Sequence, residues 1–216
     1  MRFVDRVDAG RQLVDKLSSL KGESGLLVLG IPRGGVVVAY EVALALGAPL
    51  DVALSRKLGA PQNEELAIGA LAEDGSRILD DVLIQHLRVP PDYIERVTQQ
   101  EMKEIERRAA MYRGRRPPVD VRGRSVVVVD DGVATGATMI VTLEALRDQG
   151  VRKLIAAAPV MSGEAIGRLR WIADEIVTLH VPSIFLAVGG YYQNFDQVSD
   201  AEVRELLADL AGTQSQ

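Results

Sequence analysis

The sequence predicts an α/β fold in which a parallel, twisted sheet is flanked by helices on both faces. Short runs rich in Val, Leu, Ile and Ala alternate with helical patterns along the chain, as in consecutive βαβ units. Four of these runs, at residues 26–29, 126–129, 153–158 and 175–179, have the composition of buried strands. The length of 216 residues and the 47% hydrophobic content suit one large core, so residues 1–216 are expected to form a single domain with a small hood or lid region.

Composition and charge exclude several kinds of function. The net charge of −5 and the pI near 5.2 argue against nonspecific nucleic-acid binding, which requires a basic face. The absence of cysteine excludes a disulfide framework, a zinc ribbon and a thiol nucleophile. The two histidines, His86 and His180, are too far apart in sequence to suggest a metal cluster. Since no segment approaches the roughly 18 apolar residues of a membrane span, we expect a cytoplasmic protein without membrane or nucleic-acid partners.

Local patterns define the other elements. Apolar residues at three- and four-residue spacing predict a helix that opens at Asp8 and ends near Gly22. An Asp-Gly pair at residues 74–75, between two apolar runs, predicts a β-hairpin. Two prolines at residues 90–91 precede a long, charged helix with a narrow apolar stripe, which we expect at the rim of the domain or in a subunit interface. The remaining predictions are a strand at residues 50–54 and helices at residues 36–46, 140–147, 164–171 and 200–210.

The most informative stretch is residues 124–139. Four valines are followed by Asp130 and Asp131 where the strand should end, and then by a turn of mostly small or hydroxyl-bearing residues before a helical pattern begins. A tight turn of this kind exposes backbone N–H groups and the positive end of the helix dipole, which suits a phosphate. The neighbouring carboxylates suit ribose hydroxyls or a hydrated Mg²⁺. The alternative, an ordinary glycine-rich turn with two solvated acids, stays open on this pattern alone.

The motif differs from other nucleotide signatures. A Walker A loop needs Gly-Lys-Ser/Thr, whereas Gly136 is followed by Ala137-Thr138, and the dinucleotide fingerprint GxGxxG is absent. Four apolar residues, two acids, two spacers and Ala-Thr-Gly-x-Thr closely resemble the phosphoribosyl pyrophosphate (PRPP) signature of type I phosphoribosyltransferases. The resemblance covers roughly residues 26–195, of which residues 130–138 are diagnostic.

The resemblance implies an enzyme that moves the ribose 5-phosphate of PRPP to a nitrogen acceptor, a nucleobase in nucleotide salvage, and releases pyrophosphate. It also implies Mg²⁺ as cofactor and a homodimer. Asp130 and Asp131 would hold the ribose hydroxyls, directly or through the metal. The 5′-phosphate would be wrapped by the residues that follow, which are Gly132, Val133, Ala134, Thr135, Gly136, Ala137 and Thr138. The alternative is a regulatory binding protein of the same fold that senses PRPP or a nucleotide without turnover.

A second glycine-rich turn, at residues 30–35, follows the strand at residues 26–29. Arg33 in this turn could clamp an oxyanion together with exposed N–H groups, or could be an ordinary surface arginine. The resemblance implies that Arg33, Gly34 and Gly35 bind pyrophosphate. It also implies a cis peptide bond in this loop, for which the bond between residues 32 and 33 is the candidate by position.

The segment at residues 56–65 is polar, contains Gly and Pro and begins with the basic pair Arg56-Lys57. The pattern predicts a long loop, and such loops are usually functional or mobile. The resemblance implies that this segment is a flexible lid over the reacting centre, in which Arg56 and Lys57 act on pyrophosphate. Glu64 or Glu65 would then handle the proton of the base. A solvated run of charges is the alternative.

The sequence departs from the family pattern at two positions. Gly132 stands where an aliphatic residue is usual, and Ala134 stands where 6-oxopurine enzymes carry an aspartate. Those enzymes also read the 6-oxo group with a lysine after the next strand, and residues 158–161 contain none. Hypoxanthine and guanine are therefore poorly supported. Adenine enzymes share the Ala-Thr-Gly stretch, so the acceptor base stays open.

Residues 181–199 break the strand–helix rhythm and are rich in aromatic residues. We expect this segment to form a hood on the base side of the site. Phe185 follows the last predicted sheet strand, at the edge where α/β folds bind ligands, and a ring there could stack on a base. Leu186 would contact the base beside it. The alternative is that Phe185 fills the core.

Overall fold

A computed structural model describes residues 2–114 and 116–213, with only the backbone described at Glu65 and Thr213. The described residues form eight strands: β1 (Leu26–Gly30), β2 (Leu50–Val52), β3 (Ser55–Ala60), β4 (Asn63–Ala72), β5 (Arg77–Leu79), β6 (Ser125–Val129), β7 (Lys153–Val160) and β8 (Glu175–His180). They also form seven α-helices: α1 (Arg6–Leu17), α2 (Gly34–Leu46), α3 (Asp81–Leu87), α4 (Pro91–Arg113), α5 (Ala137–Asp148), α6 (Gly163–Leu169) and α7 (Asp200–Thr213). None of these described helices is long and apolar enough to cross a membrane.

Strands β2, β1, β6, β7 and β8 pair in this order to form a fully parallel sheet, which confirms the predicted fold class. The valines of β6 show how both faces are covered. Val126 and Val128 pack in one cluster with α5 and α6, and Val127 and Val129 pack in another with α1 and α2, because successive strand residues point to opposite faces. All four side chains are fully buried, as expected for the central strand of a parallel sheet.

The carboxyl ends of β1 and β6 lie side by side. Gly30 pairs with Val129 in the parallel register, and the N–H of Ile31 donates to the carbonyl of Val129 at 2.9 Å. One strand further, the N–H of Asp130 donates to the carbonyl of Ala157 at 3.1 Å. The two glycine-rich turns therefore leave the sheet as neighbours, at the edge where α/β sheets bind ligands.

The segment predicted as a long polar loop at residues 56–65 is a β-hairpin, so that prediction of secondary structure is wrong. β3 and β4 pair antiparallel, and β5 completes a separate sheet of three strands. The alternation of a strand is hidden because the register shifts at Gly59, where a Cβ would lie 2.7 Å from the carbonyl oxygen of Glu64. Leu58 and Ile68 are fully buried in a cluster with α4. The movement of this hairpin as a lid stays a prediction.

The other local predictions are confirmed with shifted boundaries. The Asp-Gly turn joins β4 to β5, with Gly75 at φ +84°. The long charged helix begins at Pro91 and packs against the small sheet and α7. α1 begins at Arg6, two residues before its predicted start, because the side chain of Asp5 caps it by accepting from the N–H of Asp8. α3 is seven residues long, too short to show the periodicity that predicts a helix.

A buried ionic cluster ties the edge strand β2 to the chain around it. The guanidinium of Arg113, at the end of α4, binds Asp51 at 2.7 Å and also binds Glu73, and the arginine side chain is 5% exposed. It donates as well to the carbonyl of Val52 at 2.9 Å. Asp51 Oδ2 accepts the N–H of Val119 at 3.2 Å. One arginine thus fixes β2, the β4–β5 turn, α4 and the segment before β6 relative to one another.

Replacing Arg113 by Met should lower the free energy of unfolding by about 3–5 kcal/mol, because Asp51 and Glu73 would lose their buried partner. Urea unfolding followed by circular dichroism measures this change. Arg122→Met is the control, since the side chains of Arg122 and its partner Asp120 are 78% and 62% exposed and an exposed ion pair contributes little to stability. Equal, small changes in the two variants would show that the cluster does not stabilise the fold.

Candidate active site

Both glycine-rich turns close on the acid pair, Asp130 and Asp131. A Cβ on Gly34 would lie 1.9 Å from Asp131 Oδ2, and a Cβ on Gly35 would lie 2.8 Å from the Cα of Asp130. Side chains do not tolerate such distances, so the close approach of the turns depends on glycine at both positions. The peptide bond Pro32–Arg33 at the start of the first turn is cis, which confirms the expectation from the resemblance.

Two helices begin within these turns. α2 begins at Gly34 and α5 begins at Ala137, and neither N-cap residue, Arg33 or Gly136, makes a side-chain cap hydrogen bond. The N–H of Ala137 donates to Thr135 Oγ1 at 3.4 Å. Gly136, with φ +78°, turns the chain into α5. The first N–H groups of a helix have no partner inside it, and together with the dipole they attract anions. Thr135 and Thr138 are exposed at the start of α5, where the predicted 5′-phosphate site lies.

The turn before α5 is fixed by contacts from α6 and its N-cap. The hydroxyl of Ser162 donates to the carbonyl of Ala134 at 2.5 Å, and Arg168 Nη1 donates to the carbonyl of Thr135 at 2.9 Å. These bonds engage the carbonyl oxygens of the turn rather than its N–H groups. The turn therefore has a defined shape that leaves N–H donors for an anion.

Gly132 and Val133 form the base of the same turn. Val133 donates its N–H to the carbonyl of Val160 at 2.9 Å and buries its side chain in the core, so it supports the turn rather than lining it. A Cβ on Gly132 would lie 2.4 Å from Val188 Cγ1. The side chain of Val188, from the hood at residues 181–199, fills this space. That contact explains the glycine at a position where the signature usually has an aliphatic residue.

The acid pair is held in a partly desolvated environment. Asp131 Oδ2 accepts from Arg6 Nε at 2.7 Å, and the two side chains are 14% and 11% exposed. Asp130 Oδ1 accepts from the N–H of Asp131 at 2.8 Å. Burial, followed by the charge of Asp131, raises the pKa of Asp130 well above its usual range, and Arg6 opposes this rise. A cation or a hydroxyl donor bound here would relieve the repulsion between the two carboxylates.

Arg6 is a site residue that no motif indicated, because it precedes Asp131 by 125 positions. Its Nη1 donates to the carbonyl of Asp196 at 2.8 Å, and its guanidinium carbon lies 3.8 Å from the centroid of the Phe195 ring. Tyr192 donates its hydroxyl to the carbonyl of Asp131. Burial, followed by the charge of Asp131, raises the pKa of Tyr192, so this hydroxyl remains a donor. Arg6 of α1 and Tyr192 of the hood thus contact Asp131 directly, and Phe195 and Asp196 of the hood contact Arg6.

The hood is anchored by residues near the N-terminus. The N–H of Phe3 donates to the carbonyl of Tyr191 at 2.8 Å, and the carbonyl of Phe3 accepts from the N–H of Gln193 at 2.8 Å. The rings of Phe3 and Tyr192 are buried together, with their centroids 5.5 Å apart. The hood and the N-terminal residues therefore form one unit over the acid pair.

Phe185 and Leu186 lie on a more exposed part of the hood. The ring of Phe185 is half-buried and packs on Tyr191, with centroids 5.2 Å apart, and Leu186 is 89% exposed. Phe185 lies outside the core clusters formed by the described residues, so the alternative that it fills the core is not supported. The ring that reaches the acid pair is instead that of Tyr192, whose hydroxyl donates to the carbonyl of Asp131. Contact of Phe185 and Leu186 with a base stays a prediction.

The residues predicted to act from the lid lie on the hairpin. Arg56 Nε binds Glu101 of α4 at 2.5 Å, and Lys57 is half-buried on the same strand. Glu64 is exposed near the start of β4, and the side chain of Glu65 lies outside the described residues. The structure therefore brings Arg56 to α4, and the proton-handling role of the glutamates stays a prediction.

The match to known proteins covers nearly the whole chain. A family model described as the phosphoribosyl transferase domain matches residues 5–195. The chain belongs to the phosphoribosyltransferase family. This membership agrees with the PRPP-like signature at residues 130–138 and with the two helix N-termini beside it.

Two individual proteins match the chain at 45% sequence identity. A Mycobacterium tuberculosis protein, provisionally named a phosphoribosyl transferase, is 45% identical over 205 residues, which is 95% of this chain and 46% of that protein. The chain thus spans about half the length of this relative. The crystal structure of TT1426 from Thermus thermophilus is 45% identical, covers 97% of this chain and 99% of that chain, and has a TM-score of 0.89. The fold of this phosphoribosyltransferase domain therefore recurs in a solved structure.

The acid pair suits Mg²⁺ only if the ion takes its other ligands from water or substrate. Among the described residues, no group of three or more His, Cys, Asp or Glu side chains could hold a metal ion. Mg²⁺ usually keeps several waters and binds one or two carboxylates together with substrate phosphates. Asp130 and Asp131 fit that requirement, because they are adjacent carboxylates beside the predicted phosphate site. Binding of Mg²⁺ stays a prediction.

Replacing Arg6 by Met should destabilise the phosphoribosyltransferase fold, because Asp131 would lose its partner in a largely buried position. We expect the free energy of unfolding to fall by about 3 kcal/mol, as measured by urea unfolding. Arg11→Met, in the same helix, is the control. Arg11 pairs with Glu41 but is 71% exposed, so its loss should change stability by less than about 1 kcal/mol. If Arg6→Met is as stable as the control, the pair with Asp131 contributes nothing to the fold.

Proposed function

We propose that this phosphoribosyltransferase takes ribose 5-phosphate from PRPP, transfers it to a nitrogen acceptor, a nucleobase, and releases pyrophosphate. One observation carries the proposal. Two helix N-termini, at Gly34 and Ala137, begin in turns that close on a single acid pair. PRPP presents a ribose between a phosphate and a pyrophosphate, so it requires carboxylates between two anion sites. Family membership supports the same assignment.

Each part of PRPP has a matching part of the site. The N-terminus of α5 would bind the 5′-phosphate through backbone N–H groups and the exposed Thr135 and Thr138. The acid pair would bind the ribose hydroxyls. The N-terminus of α2, together with Arg33, would bind the pyrophosphate.

The reaction requires charge stabilisation more than covalent help from the protein. The bond from the ribose C1 to a pyrophosphate oxygen breaks, and a bond from C1 to the acceptor nitrogen forms. Positive charge develops on the ribose while the departing pyrophosphate gains negative charge, so fixed donors and fixed positions account for the catalysis. Arg33 would stabilise the departing group, and Glu64 or Glu65 would accept the proton of the acceptor. Mg²⁺, held by the acid pair and substrate oxygens, would supply further charge neutralisation when bound.

The direct test is the release of pyrophosphate from PRPP in the presence of Mg²⁺ and a panel of nucleobases. We expect release with at least one base, and its loss when Asp130→Asn and Asp131→Asn are combined, because amides lack the charge that holds the ribose and the metal. Asp80→Asn with Asp81→Asn is the matched control. These acids are also adjacent but exposed, and Asn at position 80 can still cap α3.

Calorimetric titration with PRPP separates the outcomes of that test. PRPP binding without pyrophosphate release from any base would favour the alternative of a sensor without turnover. Failure of the unaltered protein to bind PRPP, or undiminished binding by the double Asn variant of the acid pair, would overturn the proposal.

A further prediction concerns the acceptor. Phe185→Leu removes a half-buried ring, and loss of one base–aromatic stack, worth about 1–3 kcal/mol, should weaken acceptor binding about tenfold or more. PRPP affinity and the melting temperature should not change, because the ring lies outside the described core clusters. Trp171→Leu is the control, since Trp171 is 86% exposed after α6. A lower melting temperature with unchanged acceptor affinity would place the acceptor elsewhere.

A further inference from the structure

A cavity of about 180 Å³ lies between the turn after β1 and helix α4. Its walls include Pro32 from that turn, Arg56 from β3, Arg108 from α4 and Thr138 from the start of α5. The cavity therefore adjoins both anion-binding turns of the candidate active site. The resemblance to phosphoribosyltransferases assigned no role to α4, yet this helix contributes an arginine to the wall.

Arginines outnumber acids on the α4 side of this cavity. Arg56 binds Glu101 at 2.5 Å, and Arg108 binds Glu104 at 2.7 Å. Glu104 is shared, because Arg107 also binds it through two hydrogen bonds of 2.8 and 2.9 Å. Arg56 and Arg108 line the cavity and their glutamate partners do not, so these two guanidinium groups are the charged groups on its described wall.

The positive charge of Arg33, in the turn before α2, affects Tyr112 of α4. Tyr112 lies on α4, one turn after Arg108, and burial together with its hydrogen bond to Asp200 raises the pKa of Tyr112 to about 12. The charges of Arg108 and Arg33 both oppose that rise. The positive charge of Arg33 therefore adds to that of Arg108 at this hydroxyl.

We propose that Arg108 binds the pyrophosphate group of PRPP from the α4 side of the cavity, together with Arg56. This inference rests on the proposed function, which places the pyrophosphate at the adjoining turn. A guanidinium matches phosphate oxygens with two parallel N–H bonds and stays charged at any physiological pH. The pyrophosphate would then be held between the N-terminus of α2 on one side and α4 on the other.

The ion pairs around Glu104 allow Arg108 to exchange its partner. Arg107 holds this carboxylate through two hydrogen bonds, whereas the described contact of Arg108 is a single bond from Nε. When Arg108 turns to a phosphate, Glu104 keeps Arg107, so no carboxylate is left unpaired. The exchange is easy because partly exposed ion pairs contribute little to stability.

Calorimetric titration with PRPP, pyrophosphate and ribose 5-phosphate, each with Mg²⁺, tests this assignment. Arg108→Met should weaken the binding of PRPP and of pyrophosphate about tenfold or more, because a charge-assisted contact is lost. Affinity for ribose 5-phosphate should not change, since this ligand lacks the pyrophosphate group. Arg96→Met is the matched control: Arg96 lies on the same helix, is exposed, and lies outside the described wall of the cavity. All three affinities should be unchanged in that control.

A charge-conserving variant completes the test. Arg108→Lys keeps the charge without the planar fork and should show intermediate PRPP affinity, and it replaces Arg108→Met if that variant does not fold. The inference is overturned if Arg108→Met and the control variant bind PRPP equally well, whether both keep their affinity or both lose it to the same extent. Either result leaves the proposed function intact. Failure of the unaltered protein to bind PRPP would instead overturn the proposed function, and the inference with it.

Discussion

The contact between the two glycine-rich turns is the constraint on which the candidate site depends. β1 and β6 are neighbours in the sheet, so the turns that follow them leave it side by side, about 4.8 Å apart. Gly34 and Gly35 avoid a collision, since a Cβ on them would lie 1.9 Å from Asp131 Oδ2 and 2.8 Å from the Cα of Asp130. The same approach sets the acid pair beside the N-terminus of α2. The hood and α1 then pack around this contact.

Charge balance links the acid pair to distant parts of the chain. Two adjacent carboxylates in a partly buried place repel each other, and here the N-terminus of α2 and the side chain of Arg6 offset that repulsion. Arg6 also donates to the carbonyl of Asp196 and lies over the ring of Phe195. A ligand that binds Asp131 therefore competes with Arg6. Because Arg6 contacts the hood as well, a change at the acid pair would reach the hood through Arg6, in addition to the direct bond from Tyr192 to Asp131.

The parts of the site that are local in sequence could be predicted, and those that depend on distant contacts could not. One motif, residues 130–138, contains the acids, the glycine and the threonines together. Arg6 and Tyr192 reach the acid pair across 125 and 61 positions, and neither belongs to a motif. The hairpin was missed because the register shift at Gly59 interrupts the alternation that indicates strands. The sequence predicts α4 as a helix, but periodicity identifies its buried face and not the role proposed for Arg108.

Because residues 56–65 form a hairpin and not a loop, closure over the proposed pyrophosphate site would require a different movement. A disordered loop opens freely, whereas β3 and β4 bury Leu58 and Ile68 in the same cluster as Ile105 of α4. Exposing one such side chain costs about 1.5–3 kcal/mol, so lifting the hairpin from α4 would cost several kcal/mol before any ligand contact formed. An exchange of ion pairs exposes no apolar surface, because Arg56 and Arg108 can turn from glutamates to phosphate oxygens while the backbone stays in place. Ligand binding is therefore expected to reorganise the arginines first, and any larger movement would carry the hairpin and α4 together.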